Sequence, residues 1–198
     1  MSKQQEKSQQ TRHELEAAAI RLFGQKGFLE TSIAEITSSA GYSKGSFYRH
    51  WESKGELFLQ IIEDKLKSYR EQRDGQHPKA RDLDEAMGAI WDFLETIIDD
   101  NDWSRIFLEF TMHATRNKAL RQALNQGAYR LSNELFASLV GEHVDSGYPP
   151  EKIGALNTAL FEGFLIHSAL GTGVLNKTDV RRAALLLARS NALKSNAE

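Results

Sequence analysis

A glycine set between two short amphipathic stretches constrains this chain more than any other feature. In residues 31–51, TSIAEITSSAGYSKGSFYRHW, Ile33, Ile36 and Ala40 fall on one face of a helix whose start is marked by Ser32 with Glu35 three residues on, the pattern of a capping box. Gly41 follows the last apolar residue, where a left-handed position after a helix favours glycine. Ser43 is then placed to cap a second helix, expected over 44–51. At about 100° per residue, Phe47 and Trp51 point inward, one turn apart. Gly45, Ser46 and Arg49 take the opposite side, with Tyr48 and His50 on its flanks and Lys44 at the exposed N-terminal end. A helix, a glycine turn and a second helix with one apolar and one cationic side read as a helix-turn-helix.

The flanking sequence extends the pattern. A preceding helix has Leu15, Ala18, Ala19, Leu22 and Phe23 at helical spacing, opened by Thr11 with Glu14 and closed by Gly27. Residues 1–10 are polar and read as a frayed terminus rather than a basic arm from Lys3 and Lys7. Ser53 with Glu56 forms another capping box, opening a helix that runs to about residue 74. Lys54 stands in its first turn, where backbone N–H groups and a lysine can together hold a phosphate.

These residues resemble the TetR-type one-component transcriptional regulators. The resemblance rests on LFGQKGF at 22–28, TSIAEIT at 31–37 and AGYSKGSFYRHWESKGELF at 40–58. It implies base contacts from Lys44, Gly45 and Ser46, with Tyr48 and His50 near base or backbone. Thr31, Ser32, Ser43 and Lys54 would hold phosphates. Arg49 departs from the aromatic residue often found at its position, so its contact, to phosphate, is less defined. Beyond residue 60 the resemblance rests on helix number and order alone.

No run alternates with period two. Helices are expected over 83–99, 103–116, 119–142, 151–174 and 179–193, with a linker at 74–82. The expected architecture is therefore all-α, about nine helices. Residues 1–52 form a three-helix reader. Residues 53–198 form a bundle for ligand binding and dimerisation, with 53–74 the connecting helix. The last two helices carry apolar residues on more than one face, and small residues such as Gly163 and Ala169 allow another helix to approach closely. A homodimer through these two helices is the expectation, and the resemblance implies the same.

With 198 residues and 40% hydrophobic content the chain can bury a sizeable core. It has no cysteine, which excludes disulfides and thiolate metal sites. There is no apolar N-terminal run, so no signal peptide is expected, and no membrane span; the expected compartment is the cytoplasm. A net charge of −2 gives nucleic-acid binding no support on its own. Residues 1–58 hold 8 Lys+Arg against 7 Asp+Glu, and the remainder 17 against 20, a weak asymmetry.

Catalytic and metal chemistry is poorly served. Residues 41–45 match the G-x-S-x-G elbow in letters, but the segment before them is helical, where that motif needs a strand. Glu109 and His113 could place two metal ligands on one helix face, but a hydrogen-bonded pair is the better reading. No cofactor or metal is expected. The cavity candidates are Trp91, Trp103, Phe107, Phe110, Met112, Phe161 and Phe164, with Glu109, His113, Glu162 and His167 as polar anchors, for a small apolar or amphipathic effector. The expected function is a homodimeric repressor that an effector releases from a pseudo-palindromic double-stranded DNA operator. The rivals are a helical ligand-binding or scaffold protein without DNA binding and, resting on Glu109 and His113 alone, an enzyme.

Overall fold

The computed structural model describes residues 2–76, 80–141, 143 and 149–192. Among them every regular element is helical: α1 Lys3–Lys26, α2 Ile33–Ser39, α3 Lys44–Phe47, α4 Lys54–Gln76, α5 Leu83–Asp99, α6 Asn101–Thr115, α7 Lys118–Leu124, a π-helical turn Asn125–Tyr129, α8 Arg130–Val140, α9 Pro150–Ala169 and α10 Lys177–Ala192. Because α7, the π turn and α8 run on as one rod, the described residues form nine rods, as expected.

The differences from expectation are local. Helix α1 begins at Lys3 instead of near residue 11, because Ser2 and Gln5 cap each other reciprocally. The polar Gln and Lys residues that follow are good helix formers. The hydroxyl of Thr11 bonds back to Lys7 O at 2.9 Å inside the helix. The expected helix 119–142 is interrupted by the π turn at 125–129, which accommodates one extra residue in the helical ladder. Helix α9 stops at Ala169, short of 174, because Gly171 takes φ 64° and Thr172 N–H closes onto His167 O at 3.2 Å, a Schellman end. Helix α10 is capped by Asn176, whose side-chain oxygen accepts Asp179 N–H while the Asp179 carboxylate accepts Asn176 N–H. The expected linker falls partly on 77–79, outside the described residues.

Two cores organise these rods. The first joins Leu15, Phe23, Phe28, Ile36, Phe47 and Trp51 to Leu57 and Phe58 of α4 and to Trp103, Ile106 and Phe110 of α6. The second joins Met87, Ile90 and Trp91 of α5 to Phe136, Ile153, Phe161, Phe164, Val180 and Ala184. Ile97 and Phe107 border both. The expected boundary at residue 52 therefore lies within continuous packing, since Phe58 and Phe110 sit 4.7 Å apart and Phe110 in turn lies 5.1 Å from Phe28. The reader rests directly on α6.

Candidate nucleic-acid interface and effector cavity

The reader is built from short-range hydrogen bonds. Ser32 Oγ accepts Glu35 N–H at 3.2 Å while the Glu35 carboxylate accepts Ser32 N–H at 2.9 Å, fixing the start of α2. At its end Gly41 takes φ 77°, and Tyr42 N–H reaches Thr37 O at 2.8 Å. This Schellman end turns the chain tightly into α3. Tyr42 then ties the turn to α1 by donating its hydroxyl to Glu14 Oε2 at 2.6 Å. Ser43 Oγ caps α3 by accepting Ser46 N–H at 3.3 Å.

Helix α3 spans only Lys44–Phe47, and residues 48–50 continue as a turn instead of the expected helix to 51. The two-sided arrangement survives. Phe47 and Trp51 are buried with rings 5.3 Å apart, anchoring the segment. Ser43, Lys44, Gly45, Tyr48 and Arg49 are exposed, and Ser46 and His50 half-buried. Ser32 is also exposed, although its hydroxyl and N–H serve the cap. Burial, then the nearby Arg12 and Arg49 charges, pull the His50 imidazole below its usual range. A cleft beside this face is lined by Gln4, Lys7 and Thr11 of α1 together with Tyr42, Ser46, Arg49 and His50. Lys7 reaches this cleft as part of α1 and not as a frayed terminus, because the Ser2–Gln5 cap starts the helix before it.

Two expected phosphate holders are placed otherwise. Thr31 is 1% exposed, and its hydroxyl donates inward to Gly27 O at 2.8 Å. Its side chain is closed to DNA. The ammonium of Lys54 donates to the carbonyls of Phe28 (2.5 Å), Leu29 (3.2 Å) and Thr31 (2.6 Å), and lies 4.5 Å from the Phe28 ring centre. A lysine has three N–H donors, and all three close the α1–α2 turn. Burial pulls the Lys54 pKa down, opposed by the charges of Glu109, Glu30 and Glu35.

The same turn is held from the other side by α6. Glu109 accepts the N–H groups of Phe28 and Leu29, each at 2.8 Å, and His113 lies with its ring 5.4 Å from that of Phe28. Glu109 and His113 are thus committed to the turn and do not form a ligand pair. Arg105 adds a bond to Gly24 O at 2.6 Å.

A cavity of about 90 Å³ opens between the two cores. Of the expected residues it contains Trp103, Phe107, Phe161 and the anchor Glu162; the others lie elsewhere, Met112 among them on the exposed surface. Trp91 is fully buried in the second core, its indole N–H 3.4 Å from Asn157 Oδ1. Phe110 is fully buried against Phe28 and Phe58. Phe164 belongs to the second core, and His113 to the turn. His167 is exposed at the end of α9 against Thr172.

The sequence reading missed Ile90, Phe93, Phe136, Lys65 and Tyr129. Tyr129 donates its hydroxyl to Glu162, the anticipated anchor that does line the cavity. Burial lifts the Glu162 carboxyl above its usual range, against the lowering effect of that hydrogen bond, and burial foremost raises Tyr129 as well. At the rim Lys65 sits 4.0 Å from the Trp103 ring centre and 3.9 Å from Asp100.

With this geometry in place, comparison with known proteins is decisive. The family model for bacterial regulatory proteins of the tetR family matches residues 15–61, and that for the C-terminal part of BetI-type transcriptional repressors matches 83–189. The chain belongs to the TetR family. The TetR-family relatives include the uncharacterized regulator YerO of Bacillus subtilis, 36% identical over 126 residues, 54% of this chain and 43% of that one. BetI of Brucella anthropi is 26% identical over 169 residues, 83% of this chain and 84% of its own. The first four curated matches span 28% to 65% of each relative's length. A TetR-family regulator structure from Syntrophomonas wolfei superposes with a TM-score of 0.74 at 18% identity, covering 94% of this chain and 97% of that one. In this TetR-family chain the helix-turn-helix lies within the residues that the tetR-family model matches. Among the described residues, no helix is long and apolar enough to cross a membrane.

Proposed function

We propose that the protein is a homodimeric repressor whose two α3 segments enter successive major grooves of a pseudo-palindromic operator, and which a small apolar or amphipathic effector releases. In this reading residues 1–52 read DNA, and residues 53–198 bind effector and dimerise, with α4 connecting the two. Base contacts come from Lys44, Gly45 and Ser46, and phosphate contacts from Ser32, Ser43 and Arg49, with Tyr48 and His50 at the rim. The cytoplasm is the compartment where such an operator is met.

The observation that carries the reading is that one rod borders the cavity and also touches the connecting helix twice. A Cβ on Gly55 of α4 would lie 2.7 Å from Leu120 of α7, and a Cβ on Gly127 of the π turn 2.6 Å from Glu63 of α4. Side chains from the same rod, Ala128, Tyr129, Ser132 and Phe136, line the cavity. A change in the cavity therefore has a close-packed route to α4 and the reader. The dimer rests on α9 and α10. Leu156 and Ile166, with Leu170 and Val174 just beyond α9, stand exposed, as does Leu186 of α10, and Gly163 has open space around it.

A ligand that favours the mis-spaced dimer by about 1–3 kcal/mol lowers operator affinity some 5- to 150-fold. Reader separation of about 34–36 Å suits half-sites one helical turn apart. The test is operator release and thermal shift across a small-molecule library. Compounds that raise the melting temperature are expected to release DNA. Stabilisers that never release it overturn the effector reading.

A further inference from the structure

We infer that Tyr129 is a built-in occupant of the cavity, and that its effector is a small apolar molecule whose hydrogen-bond donor replaces the Tyr129 hydroxyl on Glu162. This inference rests on the effector reading above.

The first ground is space. A volume of about 90 Å³ is smaller than the roughly 150 Å³ apolar cavity that holds a benzene ring. An effector of aromatic size needs a side chain to leave. Ile62, Ile90, Phe93, Phe107 and Phe136 close the walls as parts of rigid helices. Tyr129 is placed differently, at the end of the π turn, where the ladder already carries an extra residue.

The second ground is chemistry. Glu162 is a carboxylate in a wall of aromatic and aliphatic side chains, and the hydrogen bond the structure gives it comes from Tyr129. Stripping a donor from a half-buried carboxylate leaves it short of a partner, which costs more than exchanging one donor for another. An incoming molecule that returns a donor to Glu162 recovers that loss. A hydrocarbon does not, and an anion meets the carboxylate's repulsion. Lys65 does not reverse this preference, since its ammonium is engaged by Trp103 and Asp100 at the rim.

The third ground is linkage. Gly127 of the same turn lies so close to Glu63 of α4 that a Cβ would collide at 2.6 Å. Moving Tyr129 out of the cavity shifts a turn that bears on the connecting helix. Occupancy and reader position then change together.

The full chain is titrated with three probes of one shape: 4-methylphenol, toluene and 4-methylbenzoate, followed by calorimetry and thermal shift. 4-Methylphenol is expected to bind wild type at least 10-fold more tightly than the other two. Tyr129→Phe, which removes the competing hydroxyl but keeps the ring, is expected to tighten 4-methylphenol and toluene alike, since neither then displaces a hydrogen bond, and to keep the preference for 4-methylphenol. Glu162→Gln, which removes the charge, is expected to relieve the exclusion of 4-methylbenzoate. Equal binding of toluene and 4-methylphenol, or a preference for 4-methylbenzoate in wild type, overturns the donor exchange while the cavity reading stands. No binding of any probe to wild type or Tyr129→Phe overturns both. The wild-type ranking decides by itself should a variant fail to fold.

Discussion

The carboxylate of Glu109 in α6 accepts the backbone N–H of Phe28 at 2.8 Å, so the C-terminal bundle grips the turn that positions the helix-turn-helix. Its second oxygen takes Leu29 N–H at the same distance, and Lys54 holds the carbonyls of Phe28, Leu29 and Thr31 from the opposite side. The turn's donors go to α6 and its acceptors to α4.

Removing this grip is expected to be costly. Glu109→Ala leaves two N–H groups without a partner and should lower unfolding free energy by about 1–3 kcal/mol, measured by urea denaturation. Glu109→Gln keeps one good acceptor and should fall between. Wild-type stability in Glu109→Ala would show that water replaces the carboxylate at no cost.

Lys54 and Arg49 separate a structural cation from a DNA-facing one. Lys54→Met should destabilise the fold, again by about 1–3 kcal/mol, yet leave the slope of log affinity against log salt unchanged. Arg49→Ala should leave the melting temperature unchanged and reduce that slope by about one unit, as expected for one lost phosphate contact. Anisotropy titrations at several salt concentrations, with thermal melts, distinguish the two.

The glycines of the two turns should respond unequally. Gly41 has φ 77° and open space where a Cβ would go, so Gly41→Ala meets only conformational strain, about 1–2 kcal/mol. At Gly27, φ is 89° and a Cβ would stand 2.8 Å from Glu109 Oε2. Gly27→Ala should cost more, and its excess should shrink in a Glu109→Ala background, a coupling that a double-mutant cycle reads directly.

Glu162 sets a pH dependence of stability. Its folded pKa is raised above the ordinary 4.5, chiefly by burial. Relative to the unfolded chain, folding therefore favours the protonated form, a contribution that is complete below about 4.5 and is lost as pH rises through the folded value. The melting temperature of wild type relative to Glu162→Gln should fall as pH is raised from 4.5 towards 8. A difference that grows with pH contradicts this placement of the carboxyl.

What was legible in the sequence was the local part. Ser32 with Glu35, Gly41 and Ser43 announce caps and a turn through interactions spanning three to five residues, and each lies where it was expected. Phe47 and Trp51 are recognisable as anchors by helical spacing. The length of α3 was not legible, because residues 48–50 lie between the short helix and the cap of α4, with His50 N–H bonded to Phe47 O at 2.9 Å. Nor was the use of Lys54. A lysine in a helix's first turn looks like a phosphate ligand until the carbonyls of a turn more than 20 residues away are brought to it. Periodicity shows that Trp91, Phe110 and Phe107 are apolar and inward. Which of them borders empty space depends on how α4, α5, α6 and α9 meet the π turn, and no local pattern records that.

The central claim is that the exposed face carrying Lys44 and Arg49 binds duplex DNA. The most direct measurement is selection of bound genomic fragments by the purified protein, followed by affinity for the selected site with wild type and with Lys44→Ala/Arg49→Ala. The account predicts one enriched pseudo-palindromic site with symmetric half-sites, and at least a 100-fold weaker affinity for the double variant at unchanged melting temperature. Operator affinity in the double variant equal to wild type would contradict it.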